Sequence, residues 1–220
     1  MSGNLIIVGT GLFAELAREY FNELSDYEVV AFSCHEEYKE AESIYGLPLI
    51  SVEDLIRKYT PQDITLFVAI GYGKMNKMRQ GVYEELKAQG YSFASFVFPG
   101  VKIWDSTFLG ENVFVFEDNT IQPCTTIGDN TVLWSGNHIG HHSSIGNHCF
   151  ISSHVVISGA CKIGNNVFIG VNATLHDSLT IGDEVLIGAA AIVSKDVIDK
   201  QVLVPKSTPV FPKNSEEIGF

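Results

Sequence analysis

The stretch IGDNTVLWSGNHIGHHSSIGNHCFISSHVVISGACKIG, Ile127 to Gly164, decides the fold. At intervals of six it places Ile127, Leu133, Ile139, Ile145, Ile151, Ile157 and Ile163 in one register. The register runs back through Ile121, Val115, Leu109 and Ile103 to Val97, and on through Ile169, Leu175, Ile181 and Ile187 to Val193. All seventeen of these positions hold Ile, Leu or Val, which average composition does not produce by chance. Gly often follows, as at Gly128, Gly140, Gly146, Gly164, Gly170 and Gly188, and the fifth position is small or β-branched, as at Thr131, Ser143, Cys149, Val155 and Cys161. One bulky and one small inward residue per repeat suit short strands joined by tight corners. The region predicts a parallel β-helix.

A longer period lies above the first. LGENVF, IGDNTV, IGNHCF, IGNNVF and IGDEVL begin at Leu109, Ile127, Ile145, Ile163 and Ile181, eighteen residues apart. Three repeats therefore make one coil, and Asn112, Asn130, His148, Asn166 and Glu184 stack at one corner. Asn and His are among the non-glycine residues that tolerate a left-handed backbone. Asn119 and Asn137 fall at inward positions one coil apart, which predicts a short buried Asn ladder.

Outward from the repeat, residues 1–95 read as a small parallel α/β unit. NLIIVGTGLFAELAREYFNEL, Asn4 to Leu24, gives a buried strand, a Gly-rich turn and an amphipathic helix. YEVVAF, ITLFVAIG and SFASFVF follow as strands, with SVEDLIRKY and NKMRQGVYEELKAQ as helices. Gly9, Gly11 and Ala14 match a GxGxxG/A turn, which serves either as a phosphate loop or as a simple tight turn. Glu36 is the acid near the spacing expected of a ribose-binding residue. The expected organisation is a Rossmann-like domain over 1–95, a β-helix over 96–198 and a carboxy-terminal tail over 199–220.

The formal net charge of -12 argues against nucleic-acid binding, which needs a basic footprint. A phosphorylated ligand would have to be held by backbone amides and a few local cations. No apolar run is long enough to span a bilayer, and the first residues carry no signal-peptide pattern, so a cytoplasmic location is expected. The four cysteines show no metal-site spacing and are expected to be free thiols.

Motifs IIVGTGLFAE, FVAIGYGKMNKMR, IGHHSSIG, VFIGVNATL and IGAAAIV resemble a bacterial family of sugar acyltransferases. The family includes N-acetyltransferases of nucleotide-linked amino sugars and relatives described as sialic acid O-acetyltransferases. The resemblance implies a left-handed β-helix, a homotrimer, and acetyl-CoA in the groove between neighbouring helices. It implies a nucleotide sugar near Gly9, Thr10, Gly11, Glu36, Gly71, Tyr72 and Asn76, with Arg79 nearby and His138 on the acceptor side. It implies CoA contacts at Gly159, Gly170 and Ala189, with Lys195 and Lys206 for the phosphates. Two departures stand out: SCHEEY replaces the usual Asp after the second strand, and VLVPKSTPV replaces the usual Gly-x-Pro-Ala near the helix end.

Five of the seven histidines fall between His138 and His154. Trimeric β-helix carbonic anhydrases pair two His five residues apart with a third two coils away, and no set here has that spacing, so no metal is expected. His148 takes a corner that Asn fills elsewhere, and His138 and His154 are expected on strands. The resemblance makes His141 the catalytic position. One coil later in its stack comes Gly159, then Asp177, so a base would face a backbone amide exposed by glycine. His142 stands where relatives often have a carboxylate, and Glu117, Asp118 or an acid of an adjacent subunit is a candidate replacement; the alternative base is His138 or a water relay. The expected activity is acetyl-CoA-dependent N-acetylation of a nucleotide-linked amino-dideoxy sugar at its 4-amino group, for surface glycans. The rivals are O-acetylation of a sialic-acid-like sugar, a non-catalytic sugar-nucleotide-binding trimer, and a metal-dependent hydratase.

Overall fold

The computed structural model describes residues 3–218. Met1, Ser2, Gly219 and Phe220, the extreme ends of the expected first domain and tail, lie outside the described residues. Strand β1 (Gly3–Val8) is followed by helix α1 (Leu12–Leu24), whose Phe13, Ala14, Ala17 and Phe21 are buried at helical spacing. Strand β2 (Tyr27–Cys34), the hairpin β3 (Ser43–Ile44) and β4 (Leu47–Ser51), helix α2 (Val52–Lys58), strand β5 (Thr65–Val68) and helix α3 (Lys77–Ala88) complete the unit. The sheet order is β3-β4-β2-β1-β5, parallel except for the β3–β4 pair. The β3–β4 hairpin was not apparent from periodicity, because its first strand is only two residues long. Ser51 starts α2 by accepting the Asp54 amide at 3.1 Å.

The six-residue repeat forms two-residue strands in three parallel sheets of a left-handed β-helix. One face carries Phe96–Val97, Phe114–Val115, Val132–Leu133, Phe150–Ile151, Phe168–Ile169, Leu186–Ile187 and Val202–Leu203. A second face carries Phe108–Leu109 through Thr180–Ile181, and a third carries Thr120–Ile121 through Ile192–Val193. Their aliphatic residues and the small fifth residues form one continuous core. Corners are left-handed throughout: φ is 52° at Asn112, 55° at Asn130, 60° at His148, 57° at Asn166 and 56° at Glu184. His154 lies on such a corner (φ 58°) and not on a strand as expected, because it is the fourth residue of its repeat. Asn119 and Asn137 are both buried but satisfy the backbone, not each other. Asn119 Nδ2 donates to the Trp134 carbonyl at 2.9 Å, and Asn137 Oδ1 accepts the Val155 amide at 2.8 Å.

The first face differs from the other two in what it presents outward. At intervals of eighteen it shows Phe96, Phe114, Val132, Phe150 and Phe168, where the other faces show Thr120, His138, Thr126 or Ser144. Helix α1 packs on this stripe. Phe13 and Phe21 meet Phe114 edge-on at 5.6 and 5.9 Å, and Tyr20 meets Phe116 at 5.1 Å. Each fully buried aromatic ring contributes about 2–3 kcal/mol, so this stripe fastens the two domains together.

Arg79 is the polar counterpart of that packing. Fully buried on α3, it donates to the carbonyls of Ile70 and Gly71 in its own domain and of Asn130, His148 and Cys149 in the β-helix. Asn76, also buried, accepts from Arg79 through Oδ1 and donates to the Val167 carbonyl. Burial lowers the Arg79 pKa to about 10, which leaves it charged at neutral pH. Both residues are therefore interdomain struts, not substrate contacts as the resemblance implied, because their polar atoms are consumed by protein groups.

Candidate active site

Two regions bear on function. The first is a cleft of about 880 Å³ at the carboxy ends of β1 and β5, walled by the first turn of α1 and by α3. Gly9, Thr10, Gly11 and Gly71 line it, together with Cys34, His35, Glu37, Lys74, Lys77 and Glu85. The two turn glycines have separate reasons. Gly9 has φ +140°, and a Cβ there would stand 2.5 Å from the Ala69 carbonyl, so strand packing alone requires it. Gly11 has no atom within 4 Å of a would-be Cβ and faces open space. The α1 amino terminus behind it has no side-chain cap, which leaves its amides available to an anion.

Other expected cleft residues lie elsewhere. After β2 the chain enters a 3-10 turn over Glu36–Tyr38, which turns Glu37 and Tyr38 into the cleft and leaves Glu36 off its wall. His35 is held in the wall between Glu53 (3.5 Å) and Glu85 (3.1 Å). Tyr72 is exposed and packs on Phe150 and Phe168 at 5.0 and 4.9 Å, outside the cleft lining. Lys74 reaches the wall because Lys74, Met75 and Asn76 are all left-handed (φ 50°, 54°, 63°). Without glycine such a run is disfavoured, and the bonds around Asn76 and Arg79 hold it. No sequence signal marks that run. The outward Phe stripe, by contrast, had a readable one in its eighteen-residue spacing.

The second region is the β-helix corner opposite the face covered by α1. Here the His141 ring lies directly on Gly159 of the next coil: a Cβ on Gly159 would stand 2.8 Å from His141 Cε1 and 2.9 Å from Nε2. Coil register is held by the Ala160 amide donating to the His141 carbonyl at 2.8 Å and the Ser178 amide to the Gly159 carbonyl at 2.9 Å. The His141 amide donates to Gln122 Oε1 at 2.8 Å, a fixing contact that sequence reading had not singled out. Among the described residues, the Gly159 amide donates to no protein acceptor. Gly140 keeps it open, since a Cβ there would stand 2.5 Å from the Gly159 nitrogen. Nδ1 of His141 lies 3.1 Å from Nδ1 of His142. An exposed imidazole and an unpaired amide are thus neighbours on adjacent coils, an arrangement open to a general base beside an oxyanion donor.

Glu117 and Asp118 are not the acid of this corner within the chain. Glu117 accepts from Tyr20 (2.9 Å) and Ser135 (2.6 Å), and Asp118 shares its left-handed corner stack with Gly136 and His154, on a different edge. Lys195 lies on the edge of His141, Gly159 and Asp177, in a turn two residues shorter than those before it, since Leu175 pairs Val193 but Ile181 pairs Val197. Gly170 and Ala189 lie on another edge, with a Gly170 Cβ meeting the Ala189 nitrogen. His138 is half-buried on the third face, paired with Thr120 and Val156. Lys206 is exposed beyond the last strand. Among the described residues no group of three His, Cys, Asp or Glu side chains could hold a metal ion, and no helix is long and apolar enough to cross a membrane.

Residues 4–86 match the PglD N-terminal domain family, and residues 124–159 and 160–195 match the bacterial transferase hexapeptide (six repeats) family. No curated protein sequence matches the chain. Among solved structures, a variant of perosamine N-acetyltransferase from Caulobacter crescentus, in complex with CoA and GDP-perosamine, is 25% identical with a TM-score of 0.81 over 91% of this chain and 92% of that one. The acetyltransferase domain of PglB from Neisseria gonorrhoeae is 20% identical, with a TM-score of 0.79 over 91% and 96%. WeeI from Acinetobacter baumannii is 20% identical, with a TM-score of 0.76 over 90% and 94%. With both domains matched in this order, the chain belongs to the bacterial hexapeptide-repeat acyltransferases that carry a PglD-type amino-terminal domain.

Proposed function

We propose that the protein transfers an acetyl group from acetyl-CoA to the 4-amino group of a nucleotide-linked amino-dideoxy sugar. The observation that carries this reading is the His141 ring lying against Gly159, whose amide has no acceptor among the described residues. Direct attack of an amine on a thioester needs a base for the amine proton and a donor for the oxygen that becomes negative. His141 takes the proton, the Gly159 amide donates to that oxygen, and His141 returns the proton to the departing sulfur. No protein nucleophile is needed.

The cleft at Gly11 suits the nucleotide diphosphate, with Lys74 on its wall, while the Lys77 ammonium beside it is paired with Glu184 at 2.6 Å. It belongs to the domain packed on one face of the prism, while His141 sits on the opposite edge. A cleft-bound sugar therefore meets His141 of another copy, in keeping with a homotrimer. On this reading Gly170, Ala189 and Lys206 of one copy and Gly159 and Lys195 of its neighbour line the two sides of an acetyl-CoA groove.

The test is thiol release from acetyl-CoA with UDP-, dTDP- and GDP-linked 3- and 4-amino sugars. Turnover of a 4-amino sugar is expected. Activity only toward hydroxyl acceptors, or silence across the panel, rejects the reading.

A further inference from the structure

Resting on the reading of His141 as the base, we infer that His142 is its positioning residue, an uncharged proton acceptor that fixes the reactive tautomer of His141. The two Nδ1 atoms lie 3.1 Å apart, with the rings nearly perpendicular at 84°. Such a contact is a hydrogen bond only when one of the two nitrogens carries the proton. If His142 donates, His141 must carry its own proton on Nε2 and has no lone pair for an amine. If His141 donates, Nε2 is bare and competent. The proposed transfer requires the second arrangement. Nε2 is the ring nitrogen turned toward Gly159, 2.9 Å from where a Cβ on that glycine would stand, and among the described residues it makes no hydrogen bond, so its lone pair is open to an amine.

The pair works as a one-proton device. When His141 takes the amine proton on Nε2, its Nδ1–H continues to donate to neutral His142 and the geometry holds. A second proton, on His142, would set two N–H groups against each other and break the contact. A carboxylate in this place would orient His141 and also stabilise its charged form; His142 orients without that charge. The weaker drive to take up a proton suits an ammonium-forming acceptor better than a hydroxyl.

The environment adds no carboxylate to the pair. From the coil below, Gln122 and Pro123 accept the His141 and His142 amides and Cys124 shares the corner. From the coil above come Gly159 and Ala160, then Asp177 one coil further and Lys162 opposite Ser144 in register. Among the described residues, no acidic side chain pairs with His141 or His142.

Substitution at His142 is tolerable to the backbone. His142 has φ 59°, and Ala160 holds the same corner one coil later at φ 57°. The experiment is nitrogen-15 NMR of histidine-labelled protein at pH 7.5, with kinetics alongside. In the unsubstituted protein His141 should carry its proton on Nδ1, and in His142→Ala it should become a mixture of tautomers. His142→Ala should lower kcat about tenfold or more with KM for both substrates within about twofold. His142→Asp should restore kcat and move the acid limb of the rate profile to higher pH. A proton on Nε2 of His141 in the unsubstituted protein, or a tautomer indifferent to His142→Ala, overturns the inference. Unchanged kcat in His142→Ala does so as well. The NMR reads the pair without substrate, so an inert enzyme would reject the acetyl-transfer reading and leave the tautomer result to stand or fall by itself.

Discussion

His142 and His148 stand six residues apart, at the same place in the repeat and with the same left-handed backbone, φ 59° and 60°. They sit on different edges of the prism, and those edges do opposite things with their amides. On the His148 edge, the amides of Glu111, Asp129, Asn147, Asn165 and Asp183 each donate to an Asn or Asp side chain of the next coil, at 2.7–3.0 Å. Asn112 donates to Asn130, and Asn130 to His148 Nδ1, at 2.8 and 2.9 Å. On the His142 edge, His141 is held by Gln122, Gly159 is open and Asp177 does not reach back. A repeat makes every coil alike in backbone, so a free amide arises where one edge stops satisfying itself.

Removing the proposed base is the most severe way to erase this difference. His141→Ala should lower kcat about a thousandfold, or about 4 kcal/mol, with KM for acetyl-CoA little changed, in a steady-state thiol-release assay. Attacking the satisfied edge should instead cost stability. Arg79→Met leaves the carbonyls of Asn130 and His148 without a donor and takes one of two from that of Cys149, which keeps the Val132 amide. It should destabilise the protein by about 3 kcal/mol in guanidinium melts, through buried acceptors left without donors. A smaller step acts on space. Gly159→Ala would put a methyl 2.8 Å from His141 Cε1, forcing the ring aside. A kcat about a hundredfold lower at unchanged melting temperature is expected, and a normal rate would show that the His141–Gly159 contact is not used.

The edges were not equally legible in the sequence. Periods of six and eighteen gave strands, corners and the neighbour relation of His141 and Gly159, because in a coil register is arithmetic. They also carried the docking stripe Phe96, Phe114, Phe150 and Phe168, which was readable but needs attention to the outward positions. The cleft was harder. Whether Glu36 or Glu37 faces a ligand depends on one 3-10 turn, and whether Arg79 meets phosphate or carbonyls depends on which domain α3 docks against. Residue type and spacing carry neither fact. A buried, fully bonded Arg and an exposed phosphate-binding Arg look the same in a sequence.

The mildest intervention is His148→Asn, which gives the satisfied edge the residue already present at Asn112, Asn130 and Asn166. His148 is buried, and its pKa is pushed below the ordinary 6.5 first by desolvation and then by the Arg79 charge, against an opposing pull from Glu84. The Asn130 amide donating to bare Nδ1 also requires the neutral ring. The folded state therefore binds this proton less readily than the unfolded chain. The stability that comes with the neutral ring is fully present above about pH 6.5 and is lost as pH falls through the depressed folded value. Asn does not titrate, so the substituted protein should match the original within about 0.5 kcal/mol at pH 8. Between pH 6.5 and pH 5 the original should lose stability faster than the Asn variant in urea melts. Parallel curves would mean that His148 reaches its proton without unfolding, and that this edge is more open than its bonds imply.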